Sequence, residues 1–357
     1  MAYQNLRNYG LSARFEQEAL LYPELSLARV TQQHRSLYTV VTEAGEIQAS
    51  VSGKFAYHAY GTAAYPAVGD WVMVSAPEIG AHHVTIQQML SRKSVFERKA
   101  AGTHQDIQIV ASNIDTIFIC MSLNADFNLR RLERYLTIAW QSGATPVIVL
   151  TKSDLCYDVT DKLAEVATVS ADVDIVLTSV LNHDVRQTFA PYLEREKTVV
   201  FLGSSGVGKS SLVNCLLGKE VLLTQEVGSD GSGRHTTTHR ALFTLPDGGV
   251  VIDTPGMREL QLDSGNLSRA FEDVEELAQQ CKFRNCSHTR ERGCAVLAAI
   301  ADGTLSAGRL ENYRKLEKEI QYEGLNARQL EHAKINNMFG SMGELKQLRR
   351  HFKKHNH

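Results

Sequence analysis

The chain has 357 residues, more than one ordinary domain holds, so two or three domains are expected. Its 43% hydrophobic and 22% charged residues are ordinary for a soluble globular protein. No apolar run approaches the length of a membrane span, and the N-terminus lacks the basic start and apolar core of a secretory signal. We therefore expect a cytoplasmic protein.

The net charge of −2 hides an uneven distribution along the chain. Residues 106–280 carry 14 Lys and Arg against 24 Asp and Glu, whereas residues 281–357 carry 15 against 8. An excess of positive charge at one end favours an anionic partner there. A solvated basic helix face explains the same charge equally well, so both interpretations stay open.

Residues 1–27 are predicted to form an N-terminal extension without a motif. From residue 28 to residue 105, short alternating stretches such as Leu37–Thr42 and Trp71–Val74 are separated by turns that contain glycine. Several short strands at close spacing predict a small β-barrel, for which an OB-fold is the natural candidate. Basic and aromatic side chains could bind RNA there, namely Lys54, Tyr57, Tyr60, Arg92, Lys93, Arg98 and Lys99. A purely structural barrel is the alternative.

Residues 106–278 alternate between strand and helix patterns and predict an α/β domain with a largely parallel sheet. The tetrapeptide T-K-S-D follows the apolar strand Thr145–Leu150, at the strand end where ligands bind in such sheets. This pattern is typical of guanine recognition, because its aspartate accepts hydrogen bonds from N1–H and N2–H₂, which adenine lacks. The predicted base-binding residues are Thr151, Lys152, Ser153 and Asp154, with Ser179 at the end of the next strand.

A glycine-rich segment of pattern G-x-x-x-x-G-K-S runs from residue 203 to residue 210. The β-branched run Thr198–Leu202 precedes it and the helical pattern Ser211–Leu217 follows it, which is the context of a phosphate loop. In such loops backbone N–H groups close on the β-phosphate, the lysine reaches the β- and γ-phosphates and the serine ligates Mg²⁺. The predicted phosphate-binding residues are Gly203, Ser204, Ser205, Gly206, Val207, Gly208, Lys209, Ser210 and Ser211.

The tetrapeptide D-T-P-G follows the apolar stretch Gly249–Ile252. In P-loop enzymes an aspartate at this place holds Mg²⁺, and the glycine N–H meets the γ-phosphate. Gly256 is therefore a predicted phosphate contact. The predicted magnesium ligands are Ser210, Asp253 and one threonine of the polar stretch 236–238, which we assign to Thr237 with Thr236 as the alternative.

The residue after Gly256 is Met257, where Ras-like GTPases place a glutamine that orients the attacking water. Methionine cannot orient water, so slow intrinsic hydrolysis is expected. His235 is the internal candidate for the missing group, and with Lys209 and Asp253 it completes the predicted catalytic set. A loop histidine without a catalytic role, with the group supplied by a partner, is the alternative.

The order of these motifs differs from that of ordinary GTPases, in which the phosphate loop comes first and the base-reading motif last. Here residues 151–154 precede residues 203–210, and Asp253 follows both. A circular permutation explains this order, and domains with closely spaced termini tolerate it. The segment that senses the γ-phosphate then leads directly into the C-terminal region.

Residues 279–357 open with a cysteine and histidine pattern of spacing C-x4-C-x-H-x5-C. Three thiolates and one imidazole form a closed tetrahedral set, which suits a structural Zn²⁺. The predicted ligands are Cys281, Cys286, His288 and Cys294. A long polar helix over residues 310–330 and a basic tail are expected to follow.

The barrel, the permuted motifs and the cysteine and histidine set together resemble the ribosome small-subunit-dependent GTPase A family (RsgA, also YjeQ or YloQ). The resemblance covers residues 28–330. It implies a multidomain α/β protein with an N-terminal OB-type β-barrel, a circularly permuted P-loop GTPase domain and a C-terminal helical zinc-finger domain. Thr151 stands where many members have asparagine, and T-S-V at residues 178–180 departs from the usual Ser-Ala.

The same resemblance implies GTP hydrolysis stimulated by the 30S ribosomal subunit, through binding of 16S rRNA, during late maturation of that subunit. Zn²⁺ and Mg²⁺ are the implied cofactors, and we expect a monomer without a membrane partner. A GTPase that acts on another RNA or ribonucleoprotein would carry the same motifs. An RNA-binding module with a vestigial nucleotide site is disfavoured by the intact Lys209, Ser210 and Asp253.

Overall fold

The structure is a computed structural model that describes residues 3–34, 37–76, 82–99, 107–124, 126–170, 172–181, 185–222, 240–253 and 267–322. The chain divides into two compact units, Met1–Gln261 and Leu262–His357. Within the described ranges, no helix combines the length and the apolar character needed to cross a membrane.

The first unit begins with two short helices, α1 (Gln4–Asn8) and α2 (Ala13–Ala19), followed by a five-stranded barrel. The barrel strands are β1 (Leu25–His34), β2 (Leu37–Thr42), β3 (Gly45–Val51), β4 (Trp71–Ser75) and β5 (His83–Met89). They pair in the order β1-β2-β3-β5-β4, and β4 closes back onto β1. Only the β3–β5 pair is parallel among these, and helix α3 (Gly53–His58) lies between β3 and β4 in the chain. The predicted OB-type barrel is confirmed.

The N-terminal helices are part of the barrel's hydrophobic core. Leu6, Leu11 and Phe15 are completely or almost completely buried, and they pack in one cluster with barrel residues that include Trp71 and Leu90. The first strand begins at Leu25, inside the segment predicted as an extension. The apolar residues of this segment therefore belong structurally with the barrel.

A two-stranded ribbon, β6 (Val95–Lys99) and β7 (Ile107–Ser112), connects the barrel to an α/β sheet. The sheet strands are β8 (Thr116–Ser122), β9 (Thr145–Thr151), β10 (Asp174–Leu177), β11 (Thr198–Leu202), β12 (Ala241–Thr244) and β13 (Val250–Asp253). Their order is β10-β9-β8-β11-β13-β12, and every pair is parallel except β12–β13. The helices of this part are α4 (Leu129–Ser142), α5 (Val159–Ala167), α6 (Val185–Phe189) and α7 (Lys209–Leu217).

The strand order explains where a ligand can bind. Every residue of β8 and β11 is buried, as expected for central parallel strands that are covered on both faces. Strands β9, β11 and β13 run in the same direction, so their carboxyl ends lie along one edge of the sheet. The three nucleotide motifs follow these three strands.

The barrel and the α/β sheet meet at a buried arginine. Arg29 on β1 is completely buried; it donates to the Gly69 carbonyl at 3.2 Å and to the Thr198 hydroxyl at 2.9 Å, and it packs against the Trp71 ring. Burial lowers the pKa of Arg29 to about 10, although the nearby Asp115 charge acts in the opposite direction. Because Thr198 begins β11, the barrel is hydrogen-bonded to the strand that leads into the glycine-rich loop.

The second unit is helical and comprises α8 (Leu267–Ala270), α9 (Glu272–Gln279), α10 (Ala295–Ala301) and α11 (Ala307–Tyr322). Arg309 on α11 is mostly buried; it bonds both carboxylate oxygens of Asp273 at 2.5 and 2.8 Å and packs on the Phe271 ring. Helices α8 and α9 therefore belong with this unit, although α8 and all but the last residue of α9 lie before residue 279, where this domain is predicted to begin. The rest of the predicted helix, beyond Tyr322, lies outside the described residues.

Gly69 offers a direct test of the close packing between barrel and sheet. It has φ +98°, and a Cβ there would lie 2.3 Å from the Ser112 carbonyl oxygen and 3.0 Å from Ile252 Cδ1. Gly61 has φ +75°, but no heavy atom of the described residues lies within 4 Å of its Cβ position. Both Gly→Ala variants should suffer backbone strain of about 1–2 kcal/mol, and overpacking should cost Gly69→Ala about 1–3 kcal/mol more.

The free energies of unfolding of both variants in urea measure this difference. Gly61→Ala serves as the control, because it introduces the same methyl group at another glycine with a positive φ angle but with open space around the Cβ position. An equal loss of stability in the two variants would show that Gly69 does not pack closely against the sheet.

Candidate functional site

The glycine-rich loop occupies residues 203–208, between the end of β11 and the start of α7. At Gly203, which has φ +153°, a Cβ would lie 2.4 Å from the Cys120 carbonyl oxygen of β8, so only glycine fits. Gly206 and Gly208 also have positive φ values, +76° and +100°. These conformations wrap the backbone around the N-terminus of α7, where N–H groups and the helix dipole favour a phosphate.

Lys209 lies over this loop. Its Nζ donates to the carbonyl oxygens of Gly203 at 2.7 Å and Ser204 at 2.6 Å. The ammonium group is thus held next to the loop's own backbone, where a phosphate-loop lysine is needed.

The base-reading motif contacts the phosphate loop directly. Thr151, the last residue of β9, is buried, and its hydroxyl donates to the Val207 carbonyl at 2.6 Å. Thr151 therefore ties the two loops together and does not face solvent. Asp154 follows in an exposed 3₁₀ turn, so its carboxylate is accessible to a ligand.

The turn after β10 supports this motif from the other side. Ser153 N–H donates to the Thr178 carbonyl at 3.3 Å, and Thr178 N–H donates to the Leu150 carbonyl at 2.9 Å. Ser179 is buried beside them, and its hydroxyl accepts from Leu181 N–H at 3.2 Å. Residues 151–154 and 178–179 thus form one backbone-bonded group.

The third motif is described only in part. Asp253 ends β13, which pairs with β11 so that Ile252 lies opposite Val200. Asp253 therefore lies at the same sheet edge as the phosphate loop, and Ser210 is in the first turn of α7. The predictions for His235, Thr236, Thr237, Gly256 and Met257 lie outside the described residues.

Two residues that were not predicted also contact the loop. The Ser204 hydroxyl donates to Asp126 Oδ2 at 2.9 Å and accepts from Arg131 Nη1 at 2.6 Å. Arg131 Nη1 also bonds Asp126 Oδ1 at 2.7 Å. No local pattern marks this pair, because the contacts join residues that are 78 and 73 positions apart.

The predicted metal ligands of the second unit lie together. Cys281, Cys286, His288 and Cys294 each bring one ligand atom into a group whose members all lie within 4.8 Å of one another. The Sγ atoms of Cys281 and Cys294 are 3.8 Å apart, and His288 Nδ1 lies 3.6 and 3.4 Å from them. Tetrahedral bonds of about 2.3 Å to sulfur and 2.0 Å to nitrogen separate ligand atoms by about 3.5–3.8 Å. This set could hold a metal ion.

Hydrogen bonds from neighbouring residues hold this cluster in place. Cys294 immediately precedes α10, and its Sγ accepts from Leu297 N–H at 3.4 Å. Arg314 donates to the carbonyls of Ser287 and His288, which fixes the loop that carries the histidine.

The proposed RNA-binding residues of the barrel separate into two groups. Arg92 is paired with Asp70 at 2.6 Å and Lys93 with Asp115 at 2.7 Å, so both already have acidic partners within the protein. Tyr57 and Tyr60 are 85% and 96% exposed, and Lys54 is exposed on the same helix α3 as Tyr57. The side chains of Arg98 and Lys99 lie outside the described part.

A phosphate loop joined to a guanine-reading motif, in a parallel sheet with these motifs in rearranged order, defines a circularly permuted P-loop GTPase. The RsgA GTPase family model matches residues 89–263. Small ribosomal subunit biogenesis GTPase RsgA 2 of Lactiplantibacillus plantarum is 51% identical over 98% of this chain and 98% of its own length. RsgA 1 of Listeria innocua is 44% identical over 89% of this chain and 90% of its own length. The chain therefore belongs to the RsgA GTPase family.

Two solved structures have the same architecture. The crystal structure of YjeQ from Thermotoga maritima matches with a TM-score of 0.62 and 27% identity, over 83% of this chain and 99% of that chain. YloQ, described as a circularly permuted GTPase, matches with a TM-score of 0.61 and 26% identity, over 83% and 95%. The predicted family and the predicted permutation are confirmed.

The metal cluster can be tested by removing one ligand. Cys286→Ser should lose most of the bound metal, because one of four ligands is replaced by a weak one. Cys215→Ser, on α7, makes the same atomic change outside the cluster and should keep the metal. Elemental analysis of the purified proteins measures the metal per chain. Metal content of Cys286→Ser equal to that of the natural protein, or a metal-free natural protein, would contradict the assignment.

Proposed function

We propose that this GTPase acts in the biogenesis of the small (30S) ribosomal subunit, in the cytoplasm, and that the subunit stimulates its GTP hydrolysis. The observation that supports the proposal is the hydrogen bond between Thr151 and Val207, which joins the base-reading motif to the phosphate loop. It occurs in a chain that is similar over nearly its whole length to a protein named for small-subunit biogenesis.

In this proposal, the guanine base is read by Asp154, which accepts hydrogen bonds from N1–H and N2–H₂. Lys152, Ser153 and Ser179 line the base site, and Thr151 holds the motif against the loop. The phosphates lie on the backbone of residues 203–211, with Lys209 at the β- and γ-phosphates and Gly256 at the γ-phosphate.

Magnesium fits the donors at the sheet edge, where Ser210 and Asp253 offer the oxygen ligands that this ion prefers, and Thr237 would supply a further oxygen. When bound, Mg²⁺ would neutralise charge on the β- and γ-phosphates. Met257 cannot orient the attacking water, so intrinsic turnover is slow. His235 supplies that function once the small subunit is bound, and a ribosomal group is the alternative.

The metal of the second unit is proposed to be a structural Zn²⁺. Three cysteines and one histidine fill a tetrahedral set, so no position is left open for water or substrate. Around the cluster, residues 282–292 carry the positive side chains Lys282, Arg284, Arg290 and Arg292, and Phe283 is 46% exposed. Basic and aromatic groups of this kind suit the backbone and bases of 16S rRNA, as do Lys54, Tyr57 and Tyr60 on the barrel.

The base-reading role predicts a change of nucleotide preference. Asp154→Asn should weaken GTP binding by about 10²-fold or more and improve binding of xanthosine triphosphate, whose C2 carbonyl accepts a hydrogen bond where guanine donates one. Asp158→Asn, the same change four residues further along the chain, should leave both affinities unaltered. Equilibrium binding of the two nucleotides to the three proteins measures this. Unchanged preference in Asp154→Asn would exclude Asp154 as the base reader.

The ribosomal role predicts that purified 30S subunits raise GTP turnover by about tenfold or more, whereas 50S subunits do not. Because phosphate contacts hold the RNA, the stimulation should fall as salt rises. The double variant Tyr57→Ala/Tyr60→Ala should keep its intrinsic turnover and lose part of the stimulation, since stacking surfaces are removed. His235→Ala should keep GTP affinity and lose most of the stimulated rate.

Phosphate release with and without subunits measures these turnover rates, and equilibrium binding measures the GTP affinity of His235→Ala. Turnover that 30S subunits do not change, in a protein that binds GTP, would argue for another RNA or ribonucleoprotein as the partner. Full stimulation of His235→Ala would assign the water-orienting group to the ribosome.

A further inference from the structure

Ser204 lies at a position of the phosphate loop where the general sequence pattern specifies no residue type. Ser204 occupies one of the variable positions of G-x-x-x-x-G-K-S, yet its hydroxyl is fully engaged. It donates to Asp126 Oδ2 at 2.9 Å and accepts from Arg131 Nη1 at 2.6 Å. Both partners come from the segment that connects β8 to α4 and from the first turn of α4.

Local hydrogen bonds fix the positions of Asp126 and Arg131. Asn128 caps α4 by accepting from Arg131 N–H at 3.1 Å, so the backbone of Arg131 is fixed. Asp126 N–H donates to the Asn124 side chain at 3.0 Å. Arg131 Nη1 and Asp126 Oδ1 are 2.7 Å apart, so the two side chains hold each other in place as well.

Tyr135, one turn further along α4, approaches the same hydroxyl. Burial raises the pKa of Tyr135, and its hydrogen bond with Ser204 acts in the opposite direction. Asp126, Arg131 and Tyr135 thus place three polar groups around one loop hydroxyl. Within the loop residues 203–208, all of which the structure describes, only Ser204 makes side-chain hydrogen bonds of this kind.

An ordinary surface ion pair is the alternative. The side chains of Arg131 and Asp126 are 30% and 37% exposed, and pairs with that exposure contribute little to stability. A surface pair, however, does not require a shared bond to a third residue more than 70 positions away. The geometry therefore favours a role in the loop over a role in global stability.

We propose that Asp126 and Arg131 are positioning residues of the phosphate loop, which hold Ser204 so that residues 203–208 are ordered before the nucleotide binds. Ordering a loop beforehand removes part of the entropy cost of binding and so raises affinity. Since the loop contacts the phosphates in every bound state, the effect is uniform and should appear in affinity rather than in the rate of the chemical step. The proposal rests on the proposed function, in which this loop binds GTP.

The test compares Arg131→Met, Arg131→Lys and Ser204→Ala with the natural protein, with Arg130→Met as the control. Arg130 is exposed on the same helix turn and its change removes the same charge. Arg131→Met should weaken GTP and GDP by about 5–10-fold each, with intrinsic turnover at saturating GTP within about twofold of natural. Because one nitrogen of Arg131 makes both bonds, the lysine ammonium of Arg131→Lys can replace it and should restore most of the affinity.

A double-mutant cycle tests whether the groups act together. If Arg131 works through Ser204, the variant Arg131→Met/Ser204→Ala should bind GDP no more weakly than the weaker single variant. Additive losses, or Arg131→Met with the affinity of Arg130→Met, would overturn the proposal. Loss of affinity accompanied by a lower melting temperature and no rescue in Arg131→Lys would also overturn it, in favour of a purely structural role.

Amide hydrogen exchange without nucleotide separates this proposal from the proposed function. Arg131→Met should speed exchange of peptides that cover residues 203–209 by about threefold or more, and leave the C-terminal half of α4 unchanged. Unchanged loop exchange overturns the positioning role even if GTP binds. If the natural protein binds no guanine nucleotide, the proposed function is wrong. If Arg131→Met still speeds exchange in the loop in that case, the role of Arg131 in ordering the loop stands.

Discussion

The hydrogen bond from the Thr151 hydroxyl to the Val207 carbonyl, at 2.6 Å, is the contact on which the nucleotide site depends. It joins the loop that reads the base to the loop that holds the phosphates, although the two residues are 56 positions apart. The strands that carry them, β9 and β11, both pair with β8 and run parallel to it. The site therefore depends on the order of strands in the sheet and not on their order in the chain, which is why a permuted sequence can build it. A threonine is sufficient at position 151, since its hydroxyl reaches the loop.

The same strand β11 links the site to the barrel. Its first residue, Thr198, accepts a hydrogen bond from the buried Arg29 and donates its N–H to Asp115 at 2.7 Å, while its last residue leads into Gly203. Asp115 in turn pairs with Lys93. Barrel residues thus hold one end of a five-residue strand, and the phosphate loop begins at its other end. A movement of the barrel would therefore act on the strand that supports the loop through these short hydrogen bonds.

Much of this architecture could be predicted from local patterns. The barrel strands, the parallel sheet, the phosphate loop and the metal set each carry a signal within a few residues, such as β-branched runs, glycine spacing or ligand spacing. Contacts between distant residues carry no such signal. The ion pair between Arg92 and Asp70 could not be predicted, because the two residues are 22 positions apart in the chain. The role of Arg131 could not be predicted either, because its contact with Ser204 forms only in the folded protein. Likewise, the role of Leu6 and Phe15 in the hydrophobic core becomes visible only in the fold, where they pack in one cluster with Trp71.

The central claim is that one guanine nucleotide site is assembled from permuted motifs. Calorimetric titration of the natural protein with GTP and with ATP, in the presence of Mg²⁺, tests this claim most directly. The account predicts one GTP site per chain and binding of ATP at least about 10²-fold weaker, because adenine would leave the Asp154 carboxylate without its donors. Equal affinities for the two nucleotides, or no binding of either, would contradict it.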